Sequence, residues 1–168
     1  MNENIYLQRI KKVKGLLRNG ETLILFAAKE KIRNRDVEYK FRQDSDFHYL
    51  TGIDEPDAIL VLKKNYSAIF VLPKDKEREI WTGIRIGKKD AKKSLNLNES
   101  YELNEWSNQK ERILTNEHTL FYFFGKDRER DIEILTLCDT LGKKLRDGKI
   151  GPERIEIPNF LHELRLFK

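Results

Sequence analysis

The stretch from Arg35 to Leu62, RDVEYKFRQDSDFHYLTGIDEPDAILVL, constrains the fold more than any other part of the chain. A strand-like entry, a capped helical turn, a glycine stop, a proline turn and a buried strand follow one another within it. Local signals that agree this densely specify one backbone path. Ser45, followed by Asp46, reads as an N-cap whose hydroxyl accepts an orphan backbone N–H, with Asp46 complementing the positive helix end. Phe47 and Leu50 share one face, and Gly52 supplies the left-handed residue that stops a short helix over Asp46 to Thr51. Pro56 fixes its own φ and disfavours helical geometry at Glu55, so Asp54 to Asp57 is a turn. Ala58 to Leu62 is then an apolar run of strand length.

The flanking segments supply the other layers. Tyr6, Ile10, Val13 and Leu17 recur at helical spacing, so residues 4–18 form an amphipathic helix ended by Asn19-Gly20. Thr22 to Ala28 suits a buried strand, and Val37 to Phe41 a second, shorter one. Ala58 to Leu62 and Ala68 to Leu72 are separated by a loop of hairpin length and pair antiparallel. A turn is expected around Glu79 to Gly83, a helix over Lys88 to Leu95, a short strand over Tyr101 to Leu103, and a helix capped by Asn104 that carries Trp106, Ile113 and Leu114. Thr119 to Phe124, TLFYFF, is the strongest strand signal, stopped by Gly125. Residues 128–146 read as a long helix burying Ile132, Leu135, Cys138, Leu141 and Leu145. Strands alternating with helices, plus one hairpin, give an α/β fold with a mixed sheet flanked by helices. After Pro158, Phe160 to Lys168 begins a helix whose apolar stripe of Leu161, Leu164 and Phe167 belongs to something longer.

A chain of 168 residues is most simply one domain, and that length buries on the order of 70% of its unfolded surface. Its single cysteine, Cys138, forbids an intramolecular disulfide and gives no reason to expect an oxidising compartment. The N-terminal segment lacks the apolar core of a signal peptide, and no run reaches the roughly 18 apolar residues of a membrane span. A cytoplasmic address without a membrane partner is therefore expected. The net charge is +5, but 28 acidic residues are mixed among 33 basic ones. Solvated helix faces explain that mixture better than specific nucleic-acid binding does.

The residues offer little catalytic chemistry. His48, His118 and His162 are scattered, and His162-Glu163 opens a metalloprotease-like helix that lacks its second histidine, because Leu166 stands there. The carboxylates Asp44 and Asp46, and Asp54, Glu55 and Asp57, have the chemistry of acid–base pairs, yet capping and turn formation explain their places. Cys138 on an apolar stripe is an inert thiol rather than a nucleophile. No phosphate-binding or nucleophile-elbow motif occurs. Trp81 beside Thr82-Gly83 is either a core residue, the first reading, or an exposed contact residue.

The order Phe41-Arg42-Gln43-Asp44-Ser45-Asp46-Phe47, Tyr49-Leu50-Thr51-Gly52, Glu55-Pro56 resembles the signature of the N-terminal domain of the aminopeptidase P (Xaa-Pro aminopeptidase) family. Phe26-Ala27-Ala28, Glu79-Ile80-Trp81 and His162-Glu163-Leu164-Arg165-Leu166-Phe167-Lys168 agree in order. Lys40 departs from the proline that many members carry there.

The resemblance implies an α/β fold shared with the creatinase and prolidase N-terminal domains, containing a ribonuclease H-like motif. On that basis residues 1–158 form the N-terminal domain, and 159–168 begin a linker helix to a catalytic domain of pita-bread fold. It further implies a parent metallopeptidase that removes the residue preceding proline from peptides, with two divalent ions, usually manganese, in the catalytic domain and none here. Homo-oligomer contacts, as a dimer or tetramer, and the rim of the substrate cleft fall to the N-terminal domain. Trp81 and Asp36 match the family's rim positions. Arg42, Gln43, Asp44, Ser45, Asp46, Gly52 and Pro56 form a structural signature. Without a metal to lower the pKa of a bound water, this chain alone is expected to be inactive. The other readings are a stand-alone peptide- or protein-binding module of the same fold, the N-terminal domain of a prolidase-like dipeptidase, and a basic nucleic-acid-binding domain.

Overall fold

Thr22, Leu23, Ile24 and Leu25 are all buried, so the strand they form must be covered on both faces. The computed structural model describes residues 4–30, 32–34, 37–38 and 40–166. It places that strand, β1 (Glu21–Phe26), inside a six-stranded sheet of order β6-β5-β4-β1-β7-β8. The other strands are β4 (Ile59–Lys63), β5 (Tyr66–Val71), β6 (Glu99–Glu102), β7 (Thr119–Phe121) and β8 (Arg154–Glu156). β4 runs antiparallel to both neighbours, β1 and β5, while β5–β6, β1–β7 and β7–β8 are parallel, so the sheet is mixed with β4 as its one reversed strand. A separate two-stranded ribbon pairs β2 (Ile32–Asn34) with β3 (Val37–Glu38).

Period-two alternation divides the buried residues between two layers. Leu23, Leu25, Leu60, Leu62, Ile69 and Val71 meet α1 (Ile5–Leu16), α2 (Ser45–Thr51), α4 (Gly87–Leu95) and α7 (Asn159–Leu166) on one face. Ile24, Ile59, Val61, Ala68 and Phe70 meet α5 (Trp106–Leu114) and α6 (Arg128–Lys143) on the other. Each fully buried Leu, Ile or Phe contributes roughly 1.5–3 kcal/mol, so the two-sided sheet carries the bulk of the stability. The remaining helix, α3 (Lys76–Thr82), buries no residue.

The α/β class, the hairpin, the opening helix and the Gly52 stop are as the sequence leads one to expect; Gly52 has φ 66°. Several local details differ. Asp44, not Ser45, caps α2: its Oδ1 accepts the N–H groups of Asp46 and Phe47, each at 3.0 Å, while Ser45 is exposed in the first turn. A carboxylate one residue upstream reaches both orphan donors, which leaves the Ser45 hydroxyl without a role in the cap. Glu79 to Thr82 lies in α3 rather than a turn, because Asp75 caps that helix through Glu77 and Arg78. Asn104 caps nothing; it lies in a 3-10 turn (Leu103–Glu105) closed by a reciprocal box between Glu102 and Glu105.

The TLFYFF strand ends at Phe121, since Tyr122 turns its hydroxyl to Asp131 and Phe124 faces solvent. Helix α6 buries Asp131, Ile134, Leu137 and Leu141, leaves Ile132 and Leu135 exposed and Cys138 half-buried, and ends at Lys143, so that Leu145 is exposed in the 3-10 turn that follows. The Asp131 carboxylate accepts from Tyr122 Oη at 2.8 Å and from Gly125 N at 3.0 Å, and that polar anchor sets the rotation of the helix. β8 has no counterpart in the expected elements. Of the expected strand from Val37 to Phe41, only Val37–Glu38 is described as strand.

Candidate functional site

The signature stretch is a crosslink before it is anything else. Gln43 is buried and uses its whole amide. Its Oε1 accepts from Ala28 N at 2.8 Å and Asp44 N at 2.9 Å. Its Nε2 donates to Ile53 O at 3.0 Å and Glu55 O at 2.8 Å. One side chain thus ties the end of β1, the start of α2 and the turn after α2 together, with both lone pairs and both protons satisfied.

Two cations secure the same stretch from distant parts of the chain. Lys126, in the loop before α6, lies 3.0 Å from Asp44 Oδ2 and 3.9 Å from Asp46 Oδ2, with its ammonium 4.1 Å from the centre of the Phe123 ring. Arg165 on α7 donates to Asp46 Oδ1 at 2.9 Å. Tyr49 donates its hydroxyl to Leu164 O at 3.0 Å, and Arg9 from α1 stacks 4.0 Å above the Tyr49 ring while donating to Tyr49 O. A Cβ at Gly52 would collide with the Tyr6 ring, so glycine is required there both for its backbone and for the close approach of α1. Pro56 is buried in the following turn.

Two clefts flank this crosslink, each of about 680 Å³. One opens beside the ends of β1 and β7, between Phe26, Phe41, Tyr122, Lys126 and Arg130; the other lies between α1, α2 and α7, between Arg9, His48, Tyr49, His162 and Arg165. Arg42 is exposed and lines both. Among the described residues no group of three or more His, Cys, Asp or Glu side chains is placed to hold a metal ion. The signature carboxylates are engaged elsewhere: Asp44 by the helix cap and Lys126, and Asp46 by Arg165. Burial pushes the Cys138 thiol above its usual range, which suits an inert side chain.

Trp81 is 89% exposed on α3, beside Ile80 and Ile84, which are also exposed. Core packing, the first reading from the residues, is excluded because α3 has no layer above it. Asp36 lies outside the described residues. Glu55 joins the Trp81 region to the signature: Ile86 N, at the end of the loop after α3, donates to Glu55 Oε1 at 2.5 Å. Burial raises the Glu55 carboxyl above the ordinary range, countered by the Ile86 N–H, Arg85 and Lys74. No sequence signal singles out Lys126 or Arg165 as partners of the signature, because each stands 80 or more positions away from the carboxylate it meets.

A family model described as the aminopeptidase P N-terminal domain matches residues 6–135. The chain belongs to that family. Among curated aminopeptidase P relatives, the Xaa-Pro aminopeptidase of Haemophilus influenzae is 40% identical over 166 residues, covering 96% of this chain and 36% of its own. That of Escherichia coli K12 is 34% identical over 155 residues, covering 89% of this chain and 35% of its own. The chain thus spans little more than a third of the length of these relatives. Among solved structures, proline aminopeptidase P II from Yersinia pestis superposes with TM-score 0.90 at 30% identity, covering 100% of this chain and 40% of that one. Aminopeptidase P from E. coli in its low-pH form gives 0.88 at 30% identity, covering 97% and 39%. The mixed sheet flanked by helices is therefore the aminopeptidase P N-terminal fold, as the signature residues imply.

Proposed function

We propose that this chain is the non-catalytic N-terminal domain of a metal-dependent Xaa-Pro aminopeptidase, an enzyme that releases the residue preceding proline from the N-terminus of a peptide. The observation that carries the reading is the match over essentially the whole chain to little more than a third of Xaa-Pro aminopeptidases. The catalytic part, of pita-bread fold and holding two divalent ions, manganese by the family resemblance, belongs to the remaining two thirds. In this reading the domain supports homo-oligomer contacts in a cytoplasmic enzyme and forms part of the substrate-cleft rim.

The exposed Trp81 ring supports the rim role, since a large aromatic left in water has the chemistry of a contact residue. The anchoring of α7 to α2 through Arg165 and Asp46 supports a fixed geometry toward a following domain. The test has two arms. The purified 168-residue chain, given Mn²⁺ and an Xaa-Pro tripeptide, releases no amino acid; release would overturn the non-catalytic assignment. In the polypeptide that carries the catalytic domain, Trp81→Ala lowers kcat/KM for peptides of three or more residues; an unchanged value removes Trp81 from the rim.

A further inference from the structure

The segment from Lys74 to Ile86 leaves the sheet after β5, forms α3 and returns to α4, and between those roots it has little to lean on. α3 buries no residue, and Ile80, Trp81 and Ile84 stand 79%, 89% and 85% exposed. Most of its described hydrogen bonds are internal. Asp75 caps its first turn, and Glu79 Oε1 accepts from Arg85 N at 3.1 Å, folding the loop back on the helix. At its return the half-buried Ile86 side chain packs against the core, and among the described residues two polar links reach outward. Lys74 pairs with Asp90 of α4 at 3.1 Å in an exposed position, where a lone ion pair holds little. The other is the hydrogen bond from Ile86 N to Glu55 Oε1.

Glu55 is unusual for a residue in a surface turn. Its Oε1 takes the Ile86 N–H, while its Oε2 is fully buried and has no hydrogen-bond partner among the described residues. The backbone of the same residue is held by Gln43, whose Nε2 donates to Glu55 O. The carboxylate is therefore mounted on the turn that Gln43 holds and reaches across to the root of an arm whose helix buries no residue. A buried acceptor oxygen without a donor is unfavourable, so the side chain is held there by the bond its other oxygen makes.

The geometry points to Glu55 as the positioning residue of the Trp81 arm: through the Ile86 N–H it fixes where the arm re-enters the domain, and hence where the Trp81 ring stands. This rests on the reading of Trp81 as a rim residue only for its catalytic consequence; the anchoring concerns this chain alone. Glu55→Ala removes the acceptor, whereas Glu55→Gln keeps a carbonyl oxygen for Ile86 and discards the charge.

The decisive measurements are amide hydrogen exchange at Ile86 and the ¹⁹F resonance of Trp81 in chain labelled with 5-fluorotryptophan, assigned by Trp81→Phe. The second tryptophan, Trp106, is buried in the layer between the sheet and α5 and α6 and reports that the fold is intact. Glu55→Ala speeds Ile86 exchange by roughly tenfold, the value of one lost hydrogen bond of about 1.4 kcal/mol. It also moves and narrows the Trp81 resonance without moving that of Trp106. Glu55→Gln restores both Ile86 exchange and the Trp81 resonance. Wild-type exchange and an unmoved Trp81 resonance in Glu55→Ala overturn the proposal. In the polypeptide with its catalytic domain, Glu55→Ala lowers tripeptide kcat/KM, and adds nothing once Trp81 is alanine. Should the arm loosen in Glu55→Ala while Trp81→Ala leaves kcat/KM untouched, the anchoring stands and the rim role of Trp81 falls.

Discussion

Arg165 Nη1 lies 2.9 Å from Asp46 Oδ1, joining residues 119 positions apart and pinning α7 to the first turn of α2. The Asp46 side chain is only 8% exposed, and its other oxygen has Lys126 no nearer than 3.9 Å. Removing the guanidinium strands a buried carboxylate, which costs more than the pair itself contributes. Arg165→Ala should therefore lower stability by about 1–3 kcal/mol in urea unfolding. Asp46→Asn in the same chain should recover part of that loss. If the two substitutions simply add, the contact is not the coupling the geometry implies.

Gln43 offers a sharper case, because no isosteric replacement preserves both halves of its amide. Gln43→Glu presents a carboxylate oxygen to the carbonyls of Ile53 and Glu55, where the amide nitrogen stood 3.0 and 2.8 Å away and donated to both. Gln43→Ala leaves the Ala28 and Asp44 N–H groups without their acceptor. Each substitution should cost about 2–4 kcal/mol, with Glu recovering partly at a pH low enough to protonate it. A loss in urea midpoint no larger than that of an exposed site would show that water replaces the amide.

Asp131 shows where the sequence stops being legible. Along α6 two apolar stripes compete, Ile132 with Leu135 and Cys138, and Ile134 with Leu137 and Leu141. Counting apolar residues cannot choose between them, because the winning face includes a carboxylate. Its partners, the Tyr122 hydroxyl and the Gly125 N–H, come from the end of the strand before the helix. Asp131→Ala should cost about 1–3 kcal/mol by stranding the buried Tyr122 hydroxyl. Ile134→Ala should cost about 2–5 kcal/mol and Ile132→Ala under about 1. Equal losses at Ile132 and Ile134 in thermal unfolding would contradict the observed rotation.

The same physics separates what could be read from what could not. Continuous apolar runs in β1, β4 and β5, and the glycine stop at Gly52, are local signals, and the central strands of the sheet follow from them. The short edge strand β8 carries an exposed arginine and two half-buried residues, too little pattern to register as a strand. At the site, the family signature located Gln43, Asp44 and Asp46, but their roles depend on Ile53, Lys126 and Arg165. Those partners are brought in by the fold, and nothing in the local spacing names them. Trp81 reads like a core residue because aromatic rings usually find a layer above them, and α3 has none.

Glu55 supplies a pH signature with a definite sign. Burial, the largest influence, raises its carboxyl above the ordinary value of 4.5, and Glu79 adds to the rise, while the Ile86 N–H, Arg85 and Lys74 pull it back. Between the ordinary value and the raised one, the folded chain binds more protons than the unfolded chain. Stability from this group is thus fully present below pH 4.5 and is lost as pH rises through the raised folded value. Glu55→Gln carries no such dependence, and its amide nitrogen in place of Oε2 imposes a penalty that is the same at every pH. The stability of Glu55→Gln relative to wild type should therefore improve from pH 4 toward pH 7, an approximate window set by the shift of the glutamate. Partial solvent access keeps the change modest, so the comparison is best made as paired urea curves at each pH, in which the titration of every other carboxylate cancels. A difference between the two chains that stays constant across the range would mean that Glu55 titrates alike folded and unfolded, and that its buried oxygen is reached by water.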